Sequence, residues 1–155
     1  KYAWDYDYGD VVTLVGGYKI RFIKYEWYQR HKETLLAKMT SWLPFAPADE
    51  YEIGVKLRYM GGRPFTPESY DHIIRDWYVN SNDAWNTERY NEYIRFDILL
   101  QQRFNFKKMN LVAFWDIMNV FNRDNPWETV YLEDGTTEMA WQYKTFPVGG
   151  IILEF

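Results

Sequence analysis

Hydrophobic and polar residues alternate along much of this chain. In YEIGVKLRY (residues 51–59), Tyr51, Ile53, Val55, Leu57 and Tyr59 share one parity, while Glu52, Gly54, Lys56 and Arg58 share the other. In YIRFDILLQQRF (93–104), Ile94, Phe96, Ile98, Leu100 and Phe104 stand opposite Arg95, Asp97, Gln101 and Arg103. An extended chain turns successive side chains to opposite faces, whereas a helix would scatter these charges around its circumference. Both stretches are predicted as strands.

The same period runs elsewhere. LVAFWDIMNVF (111–121) sets Leu111, Ala113, Trp115 and Ile117 against Val112, Phe114, Asp116 and Met118. HKETLLAKMTSWL (31–43) opposes Leu35, Ala37, Met39 and Leu43 to Lys32, Thr34, Lys38 and Thr40. YKIRFIKYEWYQ (18–29) changes parity between Phe22 and Ile23, the signature expected of a β-bulge. KYAWDYDY (1–8) alternates too, and FPVGGIILEF (146–155) ends the chain on a strand with Ile151, Leu153 and Phe155 in one parity. No stretch carries a long, capped helical period. Short turns fall at 9–10, 44–49 and 105–108, and two long connections at 63–92 and 123–143. Connections that long commonly carry function. Alternating the strand ends along the chain puts both on the same side.

Two environments suit such faces. A soluble β-sandwich would bury the apolar sides against each other, while a membrane barrel would turn them to lipid and the charged sides to a wet lumen. No run approaches the roughly 18 apolar residues of a membrane helix, but a spanning strand needs only alternate apolar positions. The strands look long, near the roughly 9–11 residues that cross a bilayer. Aromatic residues make up 21 % of the chain, with 14 Tyr and 8 Trp. Tyr51, Tyr59 and Phe104 sit toward strand ends, where interfacial girdles occur. The expected fold is therefore all-β: an antiparallel up-and-down transmembrane β-barrel to which residues 1–155 supply the last six or seven strands. Single-chain barrels begin at about 8 strands, so this chain is not expected to close alone. On that reading Lys56, Arg58, Arg95, Asp97, Arg103 and Asp116 point into the lumen.

Composition narrows the chemistry. A net charge of -4, with no basic stripe, argues against nucleic acid. Cysteine is absent, which removes disulfides, thiol nucleophiles and thiolate metal sites. His31 and His72 are too far apart for a histidine metal motif. The chain starts at Lys1 with no leader-like stretch ahead of the fold, as a processed chain or part of a longer one would. Ser69, Asp71 and His72 lie too close in one loop for a triad, whose members converge from separate elements. EDGTTE (133–138) lacks calcium-loop spacing, and YMGGRPF (59–65) lacks the Lys-Ser/Thr of a phosphate cradle. No catalytic, metal or cofactor site is expected. The loops are better suited to binding: Arg75, Trp77, Trp85, Trp127 and Trp141 are candidate contacts to an amphiphilic ligand such as a sugar, set against simple packing of the loops or placement at the headgroup level.

Four blocks in order, GRPFTP (62–67), YIRFDILLQQRFNF (93–106), LVAFWDIMNVFNRDN (111–125) and FPVGGIILEF, resemble the C-terminal part of a TonB-dependent receptor over residues 18–155. The resemblance implies an outer-membrane barrel of about 22 strands with a plugged lumen, in a Gram-negative bacterium, taking up a glycan, peptide, iron chelate or vitamin. The implied partners are the remaining N-terminal strands and plug, the inner-membrane TonB system acting through that plug, the barrel-assembly machinery, the lipid bilayer and, in glycan importers, a surface lipoprotein lid. Gly150, Leu153 and Phe155 match the C-terminal assembly signal of such proteins, with Val148 where a polar residue is usual. A soluble carbohydrate-binding β-sandwich, or an outer-membrane barrel with a scaffold or assembly role, are the alternatives.

Overall fold

The computed structural model describes residues 3–34, 43, 46–81 and 85–155. Strands take up 52 % of it and helix 7 %, so the all-β, antiparallel class holds. The strands are β1 (Val11–Ile20), β2 (Glu50–Met60), β3 (Pro64–Phe65), β4 (Ser69–Asp71), β5 (Asp76–Tyr78) and β6 (Glu88–Arg89). They continue with β7 (Tyr93–Asn105), β8 (Asn110–Met118), β9 (Pro126–Tyr131), β10 (Thr137–Trp141) and β11 (Phe146–Glu154). A single α-helix among the described residues, α1, covers Glu26–Lys32. Contacts divide the chain into two compact units: Lys1–Thr13, Arg58–Arg95 and Asn122–Lys144 form one, and Leu14–Leu57, Phe96–Phe121 and Thr145–Phe155 the other.

The largest sheet has five strands, in the order β1-β2-β7-β8-β11. It is open, with β1 and β11 at its edges; five long strands pair in it among the described residues, where six or seven were expected, and most of the expected stretch 31–43 lies outside those residues. Antiparallel register decides which side chains share a side, because directly opposed residues point the same way. Ile98, Leu100, Gln102 and Phe104 oppose Ile117, Trp115, Ala113 and Leu111, which in turn oppose Pro147, Gly149, Ile151 and Leu153. Gln102 is the single polar member of that set. It is fully buried, and its Nε2 donates to the carbonyls of Leu43 and Ala46, so a connecting segment covers the apolar side at that point.

On the opposite side, Leu99, Gln101, Arg103 and Asn105 meet Asp116, Phe114, Val112 and Asn110, followed by Val148, Gly150, Ile152 and Glu154. Arg103 forms a two-pronged ion pair with Glu154, at 2.7 and 2.9 Å, from β7 to β11 across the intervening strand. Adjacent glycines on β11 make room for rings of β8. A Cβ on Gly150 would meet the Phe114 ring at 2.7 Å, and one on Gly149 would meet the Trp115 indole at 3.1 Å. Glycine in a strand interior commonly marks such a close approach.

The structure departs from the alternation in three places. Residues 3–8, expected as a strand, form turns instead, and the first strand is the run VVTLVGGYKI (11–20). The expected strand over 18–29 stops at Ile20. A 3₁₀ turn (Phe22–Lys24) and α1 follow, so the parity change at Phe22/Ile23 marks a turn and not a bulge. The cause is aromatic packing: Phe22 lies 5.7 Å from Trp27 and 6.1 Å from Tyr28. Of the expected strand over 31–43, His31 and Lys32 close α1 and Glu33 and Thr34 turn away, while residues 35–42 lie outside the described residues.

A helix of 7 residues is too short to persist by propensity alone. Tyr28 and Lys32 fasten it through Asp49, which is wholly buried. The Asp49 carboxylate accepts from Lys32 Nζ (2.7 and 3.0 Å), Tyr28 Oη (3.2 Å) and the Asn105 amide (2.6 Å). Burial, and then the Asp49 charge, push the Tyr28 phenol up, so it stays a donor at any working pH. Removing one partner of a buried pair is expensive because the other charge is left unpaired. Lys32 is partly exposed and can reach water, which moderates the cost. Asp49→Ala is expected to destabilise the fold by about 2–3 kcal/mol and Asp49→Asn by less, measured as shifts in the urea unfolding midpoint.

Candidate functional site

The two long connections fold into small hairpins within the first unit. Pro64–Phe65 pairs with Glu88–Arg89, and β4 with β5. Asp71 closes the latter turn by accepting from the amides of Ile73 (2.7 Å) and Ile74 (3.2 Å), while Arg75 takes a left-handed φ of 56°. Aspartate favours this geometry because its short carboxylate reaches its own backbone. In the second connection β9 pairs with β10. Its turn places Gly135 at φ 84°, directly under the Tyr70 ring, where a Cβ would come within 2.6 Å of a ring carbon. The Asp134 carboxyl is held below the usual range by the Thr136 hydroxyl and amide.

Aromatic rings join the two connections. Tyr70 Oη donates to the Glu133 carbonyl at 2.6 Å, and Trp77 Nε1 to that of Leu132 at 2.8 Å. The Trp77 ring sits 5.2 Å from Tyr70 and 4.7 Å from Tyr131. Burial first, then the Glu68 charge, push the Tyr131 phenol up. A second cluster forms on Arg63. Its guanidinium lies over the Tyr90 and Trp127 rings at 5.5 and 5.7 Å, and Nη2 donates to the Trp127 carbonyl at 2.7 Å. Phe65 stacks on Tyr90 at 4.4 Å, and Tyr90 Oη accepts from the Thr129 amide. The space left beside Arg63, Tyr90 and Trp127 is about 20 Å³, room for a water and no more.

Residues 3–10 lie across this unit as a strap. Asn86 Nδ2 donates to the Ala3 carbonyl and to Asp5, and Arg89 reaches the Asp7 carbonyl and carboxylate. Gly61 and Gly62, read in the sequence only as a failed phosphate cradle, have a physical role here. Backbone carbonyls of Tyr8 and Tyr90 occupy the places where their Cβ atoms would stand, so nothing larger than glycine fits.

The expected ligand contacts divide. Trp77 and Trp127 belong to two different packed clusters, and Trp77 spends its N–H on a loop carbonyl. Trp85, Trp127 and Trp141 each leave about half of their surface exposed (51 %), and Arg75 is exposed at its hairpin tip. Half-exposed indoles on a rigid base can stack on a flat apolar face of a ligand. Ser69, Asp71 and His72 engage other partners, namely Asn80, the turn amides and the Tyr70 ring. Among the described residues no group of three His, Asp or Glu could hold a metal ion. No family model, curated protein or solved structure matches this chain.

Register and parity give the charges read as lumen-facing a side of the sheet, that of Leu99 and Phe114. Arg103 and Asp116 lie there by register, and Arg95 and Asp97 by parity along β7. A Cβ on Gly54 would meet that of Leu99 at 3.4 Å, which brings Lys56 and Arg58 to the same side through the parity of β2. Asp97 is buried and accepts from the Asn119 amide, bracing the chain reversal after β8, where Asn119 has a φ of 51°. Sequence reading missed Arg63, Asn86, Arg89 and Asn125. Asn125 grips both the amide and the carbonyl of Ile94, imitating a strand neighbour. Only the GRPFTP block hinted at Arg63.

Two predictions follow from these contacts. Arg63→Ala should speed hydrogen exchange at the Thr129 amide about tenfold, as expected for losing a cation–π and charge-assisted contact of about 1–2 kcal/mol, while Trp85→Ala leaves it unchanged. The Gly9 amide, and next the Arg89 side chain, hold the Asp7 carboxyl below its ordinary range. A depressed folded-state value means that the strap's extra stability is complete above about pH 4 and fades as pH falls through the folded value. Exchange at the Gly61 amide, which donates to Asp10, should accelerate over that acid range and do so less in Arg89→Gln.

Proposed function

We propose that this chain is the C-terminal wall of an outer-membrane β-barrel of the TonB-dependent receptor type, with β11 as its last strand and the packed connections on the external side. One observation carries the reading. The side of the sheet running from Ile98 through Trp115 to Ile151 and Leu153 is apolar almost without interruption, whereas the other carries Lys56, Arg58, Arg95, Asp97, Arg103 and Asp116. Lipid on the first side and water on the second satisfy both.

The sheet edges support the same reading. Val15 on β1 is 75 % exposed and Ile151 on β11 is 69 % exposed. Natural soluble proteins blunt their edge strands with charge, proline or cover. Apolar edges of this length call instead for further strands, here the remaining N-terminal part of the barrel. In that setting β11 offers Leu153 and Phe155 to the assembly machinery by strand addition. Nutrient uptake would draw on a plug and the TonB system, which lie beyond these residues. The external loops supply Arg75, Trp85, Trp127 and Trp141 as ligand contacts, with Trp77 holding their base. The soluble sandwich gains no support, since Trp115, Ile151 and Leu153 on the apolar side are all left exposed.

The reading requires unequal tolerance of the two sides. Ile98→Arg should cost about 2–4 kcal/mol in a folding assay in lipid or detergent, as for a cation at mid-bilayer, and Gln101→Arg should be mild. The protein should float with vesicles and aggregate without detergent. Equal tolerance at the two positions, or a monodisperse monomer in plain buffer, would sink the proposal.

A further inference from the structure

The apolar side of the sheet is not flat. Within the second unit, Phe104, Leu111, Ala113, Trp115, Gly149 and Ile151 line a groove of about 590 Å³, which Phe106 closes at the turn after β7. Its form follows from side-chain size. Ala113 sits directly opposite Ile151, so a small residue leaves the floor low between the Trp115 indole and the Phe104 ring, while the indole leans over Gly149. A slot lined mainly by apolar atoms suits a hydrocarbon chain.

Charge adjoins the slot at one end. Phe106 leads straight into Lys107 and Lys108, both exposed at the turn between β7 and β8, where the Phe106 amide donates to the Met109 carbonyl. Among the described residues neither lysine forms an ion pair, whereas Arg103 and Glu154 on the strands of this sheet neutralise each other. An apolar slot with two cations at its mouth is complementary to one kind of molecule: an alkyl chain bearing an anionic head.

We infer that this groove is a binding site for an anionic glycerophospholipid, one acyl chain lying over Ala113 between Trp115 and Phe104 and the phosphate meeting Lys107 and Lys108. The inference rests on the membrane-wall reading and deepens it, from general contact with lipid to one defined lipid site. Clusters of lysine close to a bilayer attract anionic headgroups at about 1 kcal/mol per residue. Two lysines then correspond to a preference of about tenfold or more over a zwitterionic lipid.

The test is native mass spectrometry of the detergent-solubilised full-length protein offered equal phosphatidylglycerol and phosphatidylcholine, with vesicle flotation alongside. Phosphatidylglycerol should be retained about tenfold over phosphatidylcholine. The double substitution Lys107→Gln and Lys108→Gln, confined to an exposed turn, should abolish the preference without loss of flotation. Ala113→Leu, which fills the slot, should reduce retention of both lipids. Equal retention of the two lipids by the unaltered protein, or a preference that survives loss of both lysines, overturns the lipid site alone. Failure to float with any vesicle overturns the membrane-wall reading and the site with it.

Discussion

Antiparallel register between β7, β8 and β11 is the constraint on which the other features of the sheet depend. Opposed residues must share a side, so a shift of one position would send Ile98, Trp115 and Ile151 to the side of Arg103 and Asp116. The pairing is held at several points by contacts that a shift would break. Arg103 reaches Glu154 across β8, and Asp97 grips the Asn119 amide where the chain reverses. The rings of Phe114 and Trp115 lie over the two glycines of β11. Polar contacts and ring-over-glycine packing thus fix the register together, and apolar residues supply the surface that register presents.

Two of the five long strands, β2 and β7, were legible because each carries charges at alternate positions, which only an extended chain keeps on one side, and β8 and β11 because they are unbroken apolar-rich runs bounded by turns. The exception is β1. Its VVTLVGG run has no polar alternation to read, so the eye moves on to the clearer pattern starting at Tyr18. The helix Glu26–Lys32 was hidden for a related reason. Tyr25, Trp27 and Tyr28 favour strands in isolation, and here they form a two-turn helix because their rings meet Phe22 and because Asp49 awaits Tyr28 and Lys32. Tertiary packing overrides propensity most easily in short segments.

The candidate site was less legible than the wall. The aromatic residues of the two long connections could be named, but not which of them pack and which stay exposed. That division depends on partners distant in sequence. Trp77 meets Leu132 and Tyr131, and Arg63 meets Tyr90 and Trp127. Side-chain amides complete the frame, with Asn125 standing in for a strand at Ile94 and Asn86 holding residues 3–5. Such single-residue braces have no period and leave no pattern in a sequence.

Rigidity of the loops bears on how they would serve uptake. The cluster around Arg63 leaves about 20 Å³ of internal space, and its cation is satisfied by two rings and a carbonyl. Opening it would expose apolar rings and strand a charge, so it resists working as a flap. On the proposed reading a ligand at Trp127 would meet an indole already packed on Arg63 and lose little affinity to ordering it. The same economy of form explains the terminal glycines. Gly150 belongs to an assembly signal on the proposed reading, and a Cβ there would also press on the Phe114 ring and make it shift. The sheet thus favours a small residue at the position that such a signal would use.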